Sequence, residues 1–284
     1  MDINVKQSEK LIKFLIHNIQ GVSFGSAQKL LRTGKVKVNS IKTKDNITLN
    51  VGDTISVYLT TTNKPTVNIL YEDENILIVN KPQGIECATR DKSSENTYSL
   101  EEIFEEKNAI VIHRLDRLTE GIVILAKNKE TARDFEKFFK ERKIDKFYKA
   151  IVLGTPNSEG IKKAYLKKDS KNSTVIISDT PKDDFKEIIT EYSVITSYEN
   201  FSLLNIKLHT GRTHQIRAYF SHIGHPVAND KKYGKYFPQL DKLYKGYYLT
   251  AYKVIFNLPD KYSHLNTLNI EITPSWIKNI NVNK

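Results

Sequence analysis

The chain has 284 residues, 39% hydrophobic and 27% charged, an ordinary globular balance with no run of about 18 apolar residues to span a membrane. Its formal net charge is +11, which points to a polyanionic partner such as nucleic acid, although solubility alone also accounts for a basic surface. The single cysteine, Cys87, excludes an intrachain disulfide, and MDINVKQSEK lacks the charged-then-apolar order of a secretory signal, so a reducing cytoplasm is expected. In chain order, Ser8 is placed to cap a helix through Leu11, Ile12, Leu15 and Ile16, and Ser23 to cap a second through Ala27, Leu30 and Leu31. Gly34 ends the second helix, after which KVKVNS and ITLNVGDTISVYL alternate with the period of short strands. Lys29, Arg32, Lys35 and Lys37 gather at this junction, and residues 1–67 hold ten Lys and Arg against four Asp and Glu. A charge run is ordinarily a solvated face, but in KVKV the lysines alternate with valines, so the valines can be buried while both lysines point the same way.

The order helix, helix, basic strand, with LLRTGKVKVNS at its centre, resembles the small alpha-L RNA-binding module of ribosomal proteins and RNA-modifying enzymes over about residues 8–60. In that family the basic surface grips structured RNA, so Lys29, Arg32, Lys35 and Lys37 are the expected RNA contacts. TTTNKPT follows as a linker, giving an expected organisation of residues 1–60, a linker 61–67 and a second domain 68–284.

Past the linker, NILYEDENILIVNKPQG reads as two strands around an acidic turn, ended by a Pro that cannot continue a ladder. Ser99 and Glu102 form a capping box at the start of a short helix. IHRLDRLTEG then places Asp116 between Arg114 and Arg117, just before the β-branched run IVILA, a strand buried on both faces. Taken alone, such an Asp is an ion-paired residue on a solvated turn. KETARDFEKFFKER is helical through Ala132, Phe135, Phe138 and Phe139, and KFYKAIVLG, TVIISD, TEYSVITSY and FSLLNIKLHT add strands. Without βαβ alternation, an α+β domain with a mainly antiparallel sheet is expected. His209, His214, His222 and His225 match no standard zinc spacing and have no cysteine nearby, so they read as hydrogen-bonding structural groups and no metal is expected.

Three separated segments resemble the RluA-type pseudouridine synthase family, from about Asn68 to Pro259. His113, Arg114, Leu115, Asp116, Thr119 and Gly121 match H-R-L-D-x-x-T-x-G; Thr210 to Arg217 match T-G-R-T-H-Q-I-R; and KFYKA carries Tyr148. VNKPQG and GHPVANDKKYG are weaker matches to NKPxG and GHPhxGDxxYG. The resemblance implies a cofactor-free reaction in which the ribose–uracil nitrogen bond is cut, the base turns over, and its carbon 5 is joined to the ribose. It makes Asp116 the catalytic carboxylate, attacking or deprotonating the sugar or steadying charge on it. Arg217 is then its ion-pair partner, with Arg212 the alternative. Tyr148 stacks on the uracil and serves final proton removal. Arg114 takes the place of the extruded base, Arg117 meets phosphate, and Arg212, His214 and Gln215 line the substrate site. A monomer acting on large-subunit ribosomal RNA is expected, with transfer RNA the alternative.

Glu120 stands where the family has Ser, Asn229 where it has Gly, and LTA at 249–251 replaces LHA. Glu120 is expected to point outward toward Arg117 and Lys127. Two other function classes compete. A non-catalytic RNA-binding or assembly protein has no need of Asp116, Tyr148 and Arg217 together. A phosphotransferase using Asp116 commonly needs a second carboxylate two residues on, where Leu118 stands.

Overall fold

The computed structural model describes residues 2–19, 22, 24–58, 64–88, 98–157, 159–234, 240, 244 and 246–280, with the backbone alone at 29, 260 and 279. The described residues divide into two compact units, one within 2–58 and one from 64 onward. No helix among them is long and apolar enough to cross a membrane.

The first unit pairs strands β1 (Asp2–Asn4), β2 (Val36–Val38), β3 (Ile41–Lys42) and β4 (Thr54–Val57) in the order β1-β4-β2-β3, all antiparallel. Helices α1 (Leu11–Asn18) and α2 (Phe24–Arg32) contribute Leu11, Leu15, Ala27 and Leu31 to a core with Val36, Leu49 and Ile55. Ser8 does not cap α1: its hydroxyl donates to the Leu49 carbonyl at 2.7 Å, and the helix begins after Lys10 without a side-chain cap. A partner brought close by the tertiary fold displaces the local one. Ser23 lies outside the described residues. Gly34, at φ +63°, turns the chain out of α2 as its N–H and that of Lys35 bond to the carbonyls of Leu31 and Leu30. Of the four basic residues, Arg32 is exposed, Lys35 and Lys37 are half-buried on either side of fully buried Val36, and Lys37 lies 5.2 Å from the Tyr58 ring centre. The Lys29 side chain lies outside the described residues.

The second unit is α+β around an eleven-stranded, mainly antiparallel sheet. Its strands are β5 (Asn68–Glu72), β6 (Ile76–Lys81), β7 (Ile110–Val111), β8 (Glu120–Ala126), β9 (Ile144–Leu153), β10 (Gly160–Asp169), β11 (Thr174–Ser178), β12 (Lys186–Ser197), β13 (Phe201–Leu208), β14 (Leu249–Phe256) and β15 (Ile270–Glu271). The order runs β11-β10-β12-β13-β9-β14-β8-β6-β5, with β15 beside β14 and β7 beside β8. The one parallel pair described is β8 with β14, where Glu120 faces Thr250 and Gly121 faces Ala251. Every residue of β8 is buried, as the run IVILA requires, and each such aliphatic side chain contributes about 1.5–3 kcal/mol.

Helix α3 (Leu100–Ile103) opens with the expected capping box of Ser99 and Glu102. Helix α4 (Lys129–Lys140), capped by Asn128, buries Phe135 and Phe138, and α5 (Gln215–His222) is buried along most of its length. A short helix α6 (Ile277–Ile280) follows the fully buried Trp276. Strand β10 and helix α5 escape the sequence reading. In GIKKAYLKKD only Ala164 and Leu166 are buried, so the apolar alternation that marks a strand is nearly absent although β10 is paired on both sides.

Candidate active site

Asp116 sits in the loop between β7 and β8, and that loop is tied down at nearly every residue. The His113 ring accepts the Ile124 N–H at 2.9 Å through Nε2 and packs against Phe139 at 4.7 Å between ring centres. Burial pushes the His113 pKa down to about 3, with the nearby Lys146 charge acting in the same direction, so the ring is neutral and free to accept. The Leu115 N–H donates to the Cys87 thiol sulfur at 3.2 Å. The Arg117 carbonyl accepts from the Gly84 N–H at 2.8 Å and from fully buried Lys81 at 3.2 Å, and the Thr119 N–H closes a turn back to the Asp116 carbonyl at 3.0 Å. Lys81 also donates to the carbonyls of Pro82 and Ile85, so VNKPQG acts as a clamp beneath the loop. Burial lowers the Lys81 pKa to about 8. Gly121 ends the loop at φ +127°, and a Cβ there would lie 2.3 Å from the Ala251 carbonyl oxygen, so only glycine lets β14 approach.

Arg217, on α5, reaches this loop from the far side. Its Nη1 donates to Asp116 Oδ2 at 2.7 Å, while Nε and Nη2 grip Asp230 at 2.6 and 2.9 Å in a bidentate pair. Tyr247 and Tyr233 lie against the guanidinium, with ring centres 4.6 and 5.1 Å from its carbon. Burial alone would lower the Arg217 pKa, but the hydrogen bonds to Asp230 and the surrounding negative groups outweigh it and hold the cation. Arg212 is exposed, and Arg217 alone of the two bonds to Asp116. Asp230 and Tyr233 belong to GHPVANDKKYG, where their spacing gave no role; Tyr247 follows no motif and had no signal. Asn229, at φ +61°, adopts the backbone that Gly would.

Tyr148, on β9, lines a pocket with Asp116, Thr119, Arg212, His214 and Arg217. It makes no hydrogen bond that links it to another described residue, and it is buried against the pocket. Burial, reinforced by the Asp116 charge, pushes its pKa well above that of an ordinary phenol. His214 holds a left-handed backbone at φ +54°, shares a hydrogen bond of 2.8 Å with the Tyr233 hydroxyl through Nδ1, and puts Nε2 3.7 Å from Asp116 Oδ2. Tyr233 in turn accepts the Val175 N–H at 2.9 Å. Burial lowers the His214 pKa.

Two expectations need correction. Gln215 does not offer its amide to a substrate: its oxygen accepts from Thr210 and the Arg212 N–H, and its nitrogen donates to Ile189 and Thr190, so all four positions are used in shaping the 210–215 loop. Glu120 does not point outward. It is 8% exposed and accepts four hydrogen bonds, from Thr250 at 2.7 Å, the Ser275 N–H at 2.9 Å, the Ser275 hydroxyl at 2.6 Å and Tyr244 at 3.2 Å. That donor set accommodates a buried carboxylate without a cation. Arg114 and Arg117 stay exposed beside Asp116.

The family model described as RNA pseudouridylate synthase matches residues 75–222, just over half the chain. The chain belongs to this family. Like other RNA pseudouridine synthases of the RluA type it is an isomerase, and the loop just described falls inside the matched region. An uncharacterised RNA pseudouridine synthase of Mycoplasma genitalium is 33% identical, over 88% of this chain and 86% of that one. The ribosomal large subunit pseudouridine synthase C of Buchnera aphidicola from Schizaphis graminum is 32% identical, over 80% and 78%. Among solved structures, human RNA pseudouridylate synthase domain containing 4 shares the fold at a TM-score of 0.58, covering 75% of this chain and 90% of that one at 19% identity.

Proposed function

We propose that this pseudouridine synthase isomerises uridine in large-subunit ribosomal RNA, with Asp116, Tyr148 and Arg217 as its catalytic groups. The observation that carries the catalytic assignment is the Asp116–Arg217 bond at 2.7 Å, inside a pocket that Tyr148 shares. Arg217 is locked by Asp230 and two tyrosine rings, so it aims one donor at Asp116 and leaves the carboxylate's other oxygen for the sugar. Asp116 then acts on the ribose as its bond to the uracil nitrogen breaks. The base rotates, carbon 5 bonds to the ribose, and the carbon 5 proton leaves. Tyr148 meets the base as a neutral phenol, which stacks and hydrogen-bonds and takes that proton only as its own departs.

Arg114, exposed two residues before Asp116, fits the role of filling the gap left by an extruded base, a step that costs a few kcal/mol. Arg117 fits a phosphate contact. The ribosomal substrate is supported by the name of the Buchnera relative and by the basic first unit, which we assign as an RNA-gripping module of residues 1–60 joined by a linker 61–67 to a catalytic domain 68–284.

Pseudouridine mapping of total RNA from cells with and without the gene tests the substrate. Loss of one or a few pseudouridines from large-subunit RNA is expected; loss confined to transfer RNA overturns that assignment. In the purified protein, Asp116→Asn is expected to lower turnover by at least about a thousandfold while RNA still binds. Wild-type-like turnover by that variant would sink the catalytic assignment.

A further inference from the structure

A cleft of about 560 Å³ runs from Asp116 and Tyr148 along the side of β9, between α4 and the loop 209–214. Its walls are basic: Arg114, Lys140, Arg142, Lys146 and Arg212 all line it. The carboxylates along it are largely spoken for. Asp116 is bonded to Arg217, Asp145 pairs with Lys207 at 2.7 Å, and Glu136 lies exposed on the surface of α4.

Lys146 stands apart within this set. It lies two residues before Tyr148 on β9, so both side chains project from the same face about 7 Å apart. Its ammonium sits 5.0 Å from the Phe139 ring centre and so close to Gly211 that a Cβ there would be 3.2 Å from Nζ. Among the described residues it makes no hydrogen bond and no ion pair. Burial accordingly lowers its pKa. A partly desolvated cation whose one nearby carboxylate, Asp145, is already paired with Lys207 is costly, and the cost is recovered when an anion arrives.

We propose that Lys146 binds a phosphodiester of single-stranded RNA immediately beside the target uridine, threading the strand through this basic cleft. The inference rests on the RNA isomerase reading of Asp116 and adds the path of the substrate. The separation from Tyr148 fits one nucleotide's reach, and Phe139 together with the narrow gap at Gly211 holds the ammonium in place. A phosphate, with several unshared oxygens, suits a lysine that makes no direct ion pair among the described residues.

The test uses the full chain on an unmodified large-subunit ribosomal RNA transcript and, in parallel, on unmodified transfer RNA. Lys146→Met keeps the stem against Phe139 and removes the charge; Lys146→Arg keeps the charge. For Lys146→Met, KM is expected to rise about tenfold, by more than turnover falls, and the log–log salt slope of binding to drop by about 0.7, the loss of one single-strand phosphate contact. Lys146→Arg should recover most of both. Lys146→Gln is the second variant should Met not fold. An unchanged KM and salt slope in the folded variant overturns the proposal, as does a fall in turnover with KM unchanged, which would put Lys146 at the reacting atoms. If wild-type protein forms pseudouridine in neither RNA, the isomerase reading fails first, a result distinct from either of these.

Discussion

Thr250 donates its hydroxyl to Glu120 Oε1 at 2.7 Å, joining two positions at which the chain departs from the motifs it resembles. The departures are therefore one change, not two. Trp276 donates to Thr250 Oγ1 at 2.8 Å, so the pair also anchors the segment around Ser275 to β8. Glu120→Ser should destabilise the protein by roughly 2–3 kcal/mol, because Thr250, Tyr244 and Ser275 lose a common acceptor. Adding Thr250→His should recover part of that loss. Urea unfolding of the two single variants and the double variant measures the coupling; simple additivity would mean the two sites are independent.

Asp230→Ala leaves the Arg217 guanidinium buried with two of its three hydrogen bonds gone. Breaking a buried pair on one side costs about 3–5 kcal/mol, so a large fall in unfolding stability is expected. Asp230→Asn keeps the shape and loses the charge. It should unfold at a temperature nearer wild type yet turn over more slowly, because Arg217 would no longer be held at 2.7 Å from Asp116. Equal turnover by Asp230→Asn and wild type, measured as pseudouridine formed per minute, would remove Asp230 from the positioning of the site.

His113 titrates near 3 in the folded chain against about 6.5 when unfolded, so the unfolded state takes up the proton first. Its stabilising contribution is thus fully present above about pH 6.5 and is lost as pH falls toward 3. The slope from this one group approaches about 1.4 kcal/mol per pH unit within that window. In His113→Gln the amide oxygen can accept the Ile124 N–H without titrating. The melting temperature of that variant should fall less steeply from pH 6.5 to 4.5 than that of wild type. Parallel pH curves would show that His113 takes up its proton alike in the folded and unfolded states, with no downward shift on folding.

Changing Lys29, Arg32, Lys35 and Lys37 together to Gln should weaken RNA binding and flatten its salt dependence, each lost phosphate contact lowering the slope by about 0.7–0.9. The effect should fall on KM far more than on turnover, since a uniformly used contact does not distinguish ground from transition state. A slope equal to wild type would make this face a solvated surface only.

What the sequence revealed, and what it hid, follows from how each residue is determined. Asp116, Tyr148 and Arg217 could be named because motif spacing carries them. The α+β class was readable because β-branched runs such as IVILA and the missing βαβ rhythm are local patterns. Glu120 was misjudged because its direction is decided by Thr250, 130 positions away, rather than by Arg117 and Lys127 beside it. Tyr247 was invisible for the same reason: its ring matters only once Arg217 is beneath it. Gln215 lies within a motif, yet nothing local shows that its amide nitrogen is engaged by Ile189 and Thr190 of β12.

The parallel pairing of β8 with β14 has a consequence for synthesis. Asp116 leaves the ribosome 101 residues ahead of Arg217, and Glu120 130 residues ahead of Thr250. At about 5–20 residues per second, the nascent chain carries the carboxylate loop for some 5–20 s before its arginine exists. Strand β6 on one edge of β8, and β7 at Leu125 and Ala126 on the other, are already made when β8 emerges, but Glu120 and Gly121 wait for β14. Without β14, β9 also lacks its neighbour from Ile144 to Ala150, and an unpaired strand edge is a template for pairing with another chain. Truncation before residue 249 should therefore yield insoluble protein rather than a smaller, weaker enzyme.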